Sequence, residues 1–149
     1  MKILPKNRNT RGFTLIEILI AIAILATLTS VFLGNFISSL SRGRDSKRKQ
    51  DLRNVAQGLE LYYNDFQAYP TALPTPGASF AHPSDSTVVY MRAIPGDPIS
   101  AKKYCYTSAC SDYKYYANLE NTKDIDIIPT ITCSSANYNY GVSSSNATP

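Results

Sequence analysis

The sequence predicts an α+β chain: a long N-terminal helix whose second half packs on a small antiparallel β-sheet. Three observations predict it. Phe13–Ile37 is a 25-residue run, apolar or small and uncharged apart from Glu17. Leu52, Val55, Leu59, Tyr62 and Phe66 recur at three- and four-residue spacing, the stripe of an amphipathic helix. After Pro70 the helical period gives way to short runs rich in Tyr, Thr and Val, broken by Pro, Gly, Ser and Asp.

As a helix the apolar run rises about 37 Å, enough to cross a hydrocarbon core of about 30 Å with some tilt. A secretory signal peptide shares the basic leader, here Lys2, Lys6, Arg8 and Arg11. Its apolar region, however, is about 7–15 residues long and ends at a small-residue cleavage site. This run is longer, and Ser30–Gly34 makes a poor site. The expectation is a spanning helix at 13–37 behind a leader at 1–12. Arg42, Arg44, Lys47, Arg48 and Lys49 on the far side nearly match the leader in number, so the positive-inside rule leaves orientation open. Glu17 stands out, because a charged group at the bilayer centre costs about 2.5–3.5 kcal/mol on insertion scales.

Ser38–Asp51 is polar but free of proline, so residues 38–69 are expected to continue the same helix with an amphipathic face. The helix then runs from about Thr14 to Phe66 and stops between Phe66 and Ala68, ahead of Pro70. Thr71–Asp85, with three prolines and a glycine, reads as a loop. Strands are expected at Thr87–Met91, Lys103–Thr107, Tyr113–Leu119 and Ile127–Cys133, with a hairpin turn at Ser108–Asp112. Residues 70–149 thus form a β-rich head covering the helix stripe, and the Ser- and Asn-rich tail Ser134–Pro149 is expected to be loose.

Charge and composition exclude several functions. The formal net charge is +4, and the leader carries four basic residues. Without it, eleven basic side chains face eleven acidic ones, so the chain beyond the leader has no basic excess for nucleic acid. Tyr104, Tyr106, Tyr113, Tyr115 and Tyr116 have only Lys102, Lys103 and Lys114 as basic companions, which suits a Tyr-rich sheet better than a base-stacking platform. His82 is the single histidine and sits in the Pro-rich loop. With no Cys-x-x-Cys pair, nucleophile elbow or phosphate-binding glycine loop, the sequence points to neither an enzyme nor a zinc protein. Asn146-Ala-Thr matches a glycosylation sequon, which carries little at the extreme terminus.

Cys105, Cys110 and Cys133 all lie beyond the apolar run. One disulfide with one thiol left over suits an oxidising compartment and places the head outside the cytoplasm. Cys105 just before the expected turn and Cys110 within it suggest a Cys105–Cys110 hairpin staple.

The stretch Gly12-Phe13-Thr14-Leu15-Ile16-Glu17, behind a basic leader and ahead of a long apolar run, resembles the prepilin cleavage and methylation motif of type IV pilins and type II secretion pseudopilins. Asp51–Thr71 and Tyr90–Pro98 are similar to the major pseudopilin of type II secretion, so the likeness covers about the first 100 residues. It implies a pilin-like fold. It also implies cleavage between Gly12 and Phe13 by a membrane peptidase, and N-methylation of Phe13. The leader would stay cytoplasmic, with the chain first a single-pass inner-membrane protein and then part of an extracytoplasmic filament. The implied partners are further copies or related subunits, the processing peptidase and methylase, the membrane and an inner-membrane assembly platform. Glu17, one helical turn past Phe13, would neutralise the ammonium of a neighbouring subunit and set assembly register.

From Ile99 onward the chain departs from that pattern. The loop that holds calcium in major pseudopilins has no clear counterpart here, and Asn121, Asp124 and Asp126 form only a thin acidic cluster short of the oxygen ligands such an ion wants, so no cofactor is expected and calcium is the one the resemblance raises. Pilins often tie the C-terminal region back onto the sheet, which makes Cys110–Cys133 the alternative bridge. The helix positions where pilins carry glycine and then proline read here as Ala26 and Gly34. The competing function is a membrane-anchored extracytoplasmic binding module that does not polymerise.

Overall fold

The computed structural model describes residues 12–149, side chains 31–35 excepted. The expected leader therefore lies outside the described residues, save Gly12. One helix, α1, covers Leu15–Phe66, followed by seven strands: β1 Phe80–His82, β2 Asp85–Met91, β3 Cys105–Ser108, β4 Tyr113–Ala117, β5 Ile131–Cys133, β6 Ala136–Tyr138 and β7 Tyr140–Ser143. The chain divides into two units, residues 1–38 and 39–149.

In the first unit Leu15, Ile16, Ile18, Leu19, Ile20, Ile22, Ile24, Leu25 and Leu28 are all exposed. At 100° per residue these positions surround α1, so no single face is the apolar one. The hydroxyls in this stretch turn inward on their own helix: Thr27 Oγ1 donates to Ile24 O at 2.8 Å, Thr29 Oγ1 to Leu25 O at 2.7 Å and Ser30 Oγ to Thr27 O at 2.9 Å. Such back-bonding lets Ser and Thr sit in an apolar surface without leaving their hydroxyls unsatisfied. Among the described residues no helix is long and apolar enough to cross a membrane; side chains 31–35, inside the expected span, are not among them.

The second unit is built on the stripe. Leu52, Val55 and Leu59 are fully buried and share a core with Tyr69, Phe80, Ile94, Tyr113, Tyr115, Ala117, Leu119 and Tyr140. The helix stops where the sequence says it should. Gln67 turns to φ 52°, and its N–H donates to Tyr63 O at 2.7 Å. This is the left-handed helix exit that glycine usually occupies. Pro70 follows.

The head holds three small antiparallel sheets rather than one: β1–β2, β3–β4–β7 and β5–β6. The expected turn at 108–112 joins β3 to β4. Along β4 the strand period sorts its aromatics: Tyr113, Tyr115 and Ala117 join the helix-side core, while Tyr116 joins Tyr138 and the disulfide in a second cluster. The tyrosines are core residues. The tail departs from expectation, since Ala136–Ser143 forms β6 and β7, and β7 completes the central sheet beside β4. Tyr138, Tyr140 and Val142 alternate within the Ser- and Asn-rich composition and supply the apolar side chains that dock it. Gly141 lies opposite Tyr116, and a Cβ there would meet the Tyr116 ring at 2.7 Å.

The bridge joins Cys105 to Cys133, with Cys110 free and exposed. Both expected pairings are corrected. The residue opposite Cys105 across the hairpin is Tyr116, whereas Cys110 lies beyond the far end of β3, in the turn. Strand geometry at about 3.3 Å per residue separates the two. The C-terminal region is indeed tied to the sheet, but through Cys105.

Candidate functional site

The N-terminal constellation comes from the start of α1. Thr14 precedes the first helical residue, and its Oγ1 accepts the Glu17 N–H at 3.3 Å. Glu17 answers through Oε2, which accepts the Thr14 N–H at 3.3 Å and the Thr14 hydroxyl at 3.4 Å. Thr14-x-x-Glu17 is therefore a capping box, each side chain satisfying a backbone donor that the helix leaves open. A carboxylate in the first turn also faces the positive end of the helix dipole. Gly12, Phe13, Thr14 and Glu17 are all exposed. The signal for the box stood in the sequence as Thr-x-x-Glu ahead of an apolar run, hidden behind the question of why a charge lies there at all.

The second unit carries a buried ionic centre within a stretch whose composition reads only as a polar segment of helix. Arg48 is 0% exposed. Its Nε donates to Asp97 Oδ2 at 2.7 Å and its Nη2 to Asp97 Oδ1 at 2.9 Å, while Nη1 donates to Asp45 Oδ1 at 2.8 Å and Glu120 Oε1 at 2.7 Å. Arg44 adds a two-pronged contact to Glu120, at 2.9 and 2.6 Å. Asp45 in turn accepts the backbone N–H groups of Glu120 and Asn121. These contacts fasten the helix to the segments around Asp97 and Glu120. The signal was phase: Asp45 and Arg48 continue the 52, 55, 59 stripe backward at the same three- and four-residue spacing.

Electrostatics follow the geometry. The Arg44 hydrogen bond, together with Arg48, holds the Glu120 carboxyl down at about 2, against the upward pull of burial. Burial pulls Asp97 upward most strongly, but the Arg48 hydrogen bonds, the Ile99 N–H and the nearby positive charges together leave it below its ordinary value. Burial opposes the charge on Arg48, and its carboxylate partners more than offset this and raise its pKa.

The calcium candidates are engaged otherwise. Asp124 and Asp126 both receive Lys49 Nζ, at 2.6 and 2.8 Å. Asn121 gives its N–H to Asp45 and accepts the Lys123 N–H on its side-chain oxygen at 3.3 Å. A lysine ammonium stands where a cation would sit. Among the described residues no three His, Cys, Asp or Glu side chains are grouped to hold a metal.

Comparison with known proteins places these features. Residues 7–33 match the family model described as the prokaryotic N-terminal methylation motif. The chain is 30% identical over 106 residues to the type II secretion system core protein G of Dickeya chrysanthemi, covering 64% of this chain and 67% of that protein. It is 39% identical over 62 residues to the type IV wide pilus major component PilA4 of Thermus thermophilus, where it spans about half of that relative, 47%, and 42% of itself. It is 30% identical over 69 residues to the type IV major pilin protein PilA of Myxococcus xanthus, 46% of this chain and 31% of that one. No solved structure matches it.

Proposed function

We infer the work of this protein from one premise: the chain belongs to the family of type IV pilins and type II secretion pseudopilins, whose members are structural subunits rather than enzymes. It is a filament subunit. A membrane peptidase cuts between Gly12 and Phe13, the new Phe13 amine is methylated, and the subunit waits in the inner membrane with its head outside the cytoplasm. It then joins further copies or related subunits through α1, on the membrane's assembly platform.

The observation that carries this reading is the apolar surface around the first half of α1, interrupted by one carboxylate at the helix start. A helix apolar all round needs lipid or other helices against every side. Lipid supplies that before assembly, and neighbouring helices supply it afterwards. Glu17 already closes its own helix through Oε2, and a carboxylate has a second oxygen to offer an ammonium. Buried among helices, the Phe13 ammonium is costly without such a partner. Glu17 thus performs two jobs, capping its own helix and neutralising a neighbour's terminus.

N-terminal mass spectrometry of sheared filaments and membranes tests the reading. The expected species begins at a methylated Phe13. An intact Met1 start with no polymer in the sheared fraction would instead support a membrane-anchored binding module.

A further inference from the structure

We propose that β3 is a docking edge for an extended, carboxylate-bearing peptide segment of another protein, taken up as an added strand of the central sheet. The site does not depend on polymerisation. β3 is an outer strand of the β3–β4–β7 sheet. The Ala109 N–H donates to Asp112 O at 3.1 Å, and the Ser144 N–H donates to Tyr113 O at 3.2 Å. Counted onward in twos, these bonds fix the ladder. Cys105 and Thr107 exchange hydrogen bonds with β4, while Tyr106 and Ser108 turn their N–H and C=O groups to the open edge. Among the described residues no other backbone group meets them there. Apart from its shortness, β3 has none of the devices that guard an exposed edge, since it contains no charge, proline or bulge.

A cavity flanks this edge on each face. Tyr104 and Tyr106 pack toward the helix-side core, and Cys105 toward the disulfide cluster. On the helix side a cavity of about 600 Å³ has an apolar wall of Leu73, Pro76 and Tyr115, with hydroxyls from Thr71, Thr75 and Ser100. On the disulfide side a cavity of about 490 Å³ is lined by Cys105, Asn118, Asn137 and Tyr138. Lys102, Lys103, Tyr104 and Tyr106 line both, so the two cavities meet along the edge. Successive side chains of an extended peptide point to opposite faces of a sheet. A strand laid on β3 would therefore send them by turns into one cavity and the other, with main-chain hydrogen bonds holding it at Tyr106 and Ser108. The rim is already fixed: Tyr106 donates to Pro70 O at 2.8 Å and Tyr104 to Asp51 Oδ2 at 3.0 Å. Little ordering is left to pay on binding.

Charge selects the occupant. The charged residues lining the two cavities are Lys102, Lys103 and Asp97. Both Asp97 oxygens are taken by Arg48, and Oδ1 also accepts the Ile99 N–H at 2.8 Å, so this carboxylate is already neutralised. Neither lysine has a carboxylate partner among the described residues. Two ammonium groups beside open backbone donors and acceptors favour a strand that carries carboxylates over a neutral or basic one. Its aliphatic side chains suit the wall of Leu73, Pro76 and Tyr115.

The test is amide hydrogen exchange followed by NMR on the full-length chain in detergent micelles. The probe is a capped peptide of alternating valine and glutamate, about six residues long, the length of an ordinary strand. In the free chain the Tyr106 amide should exchange faster than those of Cys105 and Thr107, which are spent on β4. Millimolar peptide should slow Tyr106 at least about ten-fold and leave Cys105 and Thr107 unchanged. The Lys102→Glu, Lys103→Glu double variant should lose that response, and its own Cys105 and Thr107 protection reports that the sheet is intact. A Tyr106 amide already slow in the free chain, or unmoved by the peptide, would overturn the docking edge. Equal slowing by a peptide of alternating valine and lysine, or a double variant that still responds, would overturn the carboxylate assignment. Slowing that grows with protein concentration in the absence of peptide would mean that a second copy takes the edge, and would overturn the proposal as well.

Discussion

Arg48 grips Asp97 by two parallel hydrogen bonds, at 2.7 and 2.9 Å, with the two side chains 0% and 1% exposed. The pairing binds a helix residue to one 49 positions later in a region sealed from water. Asp45 and Glu120 complete the arginine's partners. Fully partnered, the cluster fixes how the part of α1 beyond residue 38 packs within the second unit. Without Arg48, Asp97 is left buried and charged with no counter-ion.

Arg48→Met is therefore expected to be among the most damaging single changes in the head. It takes the guanidinium from buried Asp97 and Asp45 while Glu120 keeps Arg44, and breaking a buried pair typically costs about 3–5 kcal/mol. Arg48→Lys should retain the charge but lose the fork that Asp97 accepts, so it should fall between the two. Thermal unfolding followed by circular dichroism measures this. Equal melting temperatures for Arg48→Met and the parent would show the cluster to be energetically idle.

Acid should loosen the same cluster. Glu120 titrates near 2 in the folded chain against an ordinary 4.5, and Asp97 and Asp124 are also lowered. For a carboxyl depressed on folding, the unfolded chain takes up protons first as pH falls. The stabilisation is thus fully present above about pH 4.5 and is lost progressively as pH drops through about 2. Urea midpoints measured from pH 6 down to pH 2 should fall below pH 4.5, with a shallower fall in Glu120→Gln.

Two glycines should respond in opposite ways. Gly58 lies inside α1, and an added Cβ would find its nearest neighbours at 3.6 to 3.8 Å, ordinary contact distances. Gly58→Ala should stabilise by about 0.5–1 kcal/mol through helix propensity and a less free unfolded chain. Gly141→Ala drives a methyl into the Tyr116 ring and should destabilise by about 1–3 kcal/mol. Melting curves of the pair provide an internal control.

Patterns confined to one element were legible in the sequence. The stripe at 52, 55, 59 gave the buried face, Pro70 gave the helix end, and the turn at 108–112 gave the central hairpin. Properties that depend on which segments meet were not. Cys105–Cys133 requires knowing that β5 lies beside β3, and β7 reaches β4 from a tail whose composition reads as loop. The burial of Arg48 was not legible for a physical reason: a charged residue is buried only when its partners arrive, and Asp97 and Glu120 arrive from far along the chain. At the N-terminus every motif residue was visible, but the mutual capping of Thr14 and Glu17 gives the carboxylate a local role beside the proposed intermolecular one.

The two roles can be separated by substitution at Glu17. Glutamine at the third helical position can still reach back to the Thr14 N–H, so Glu17→Gln preserves the capping box and removes only the charge. Glu17→Ala removes both, and Thr14→Ala removes the reciprocal cap at a cost of about 0.5–2 kcal/mol while leaving the carboxylate. If the carboxylate neutralises a neighbouring ammonium, Glu17→Gln and Glu17→Ala should both insert and be cleaved after Gly12 yet yield few filaments. Thr14→Ala should then assemble at close to parental levels. A Gln variant that assembles normally beside a defective Ala variant would reverse the assignment, making helix capping the whole of Glu17's contribution. Counting sheared filaments per cell, with membrane levels and the processed N-terminus measured in the same cultures, separates the two, because a purely local cap is indifferent to charge and an ammonium partner is not.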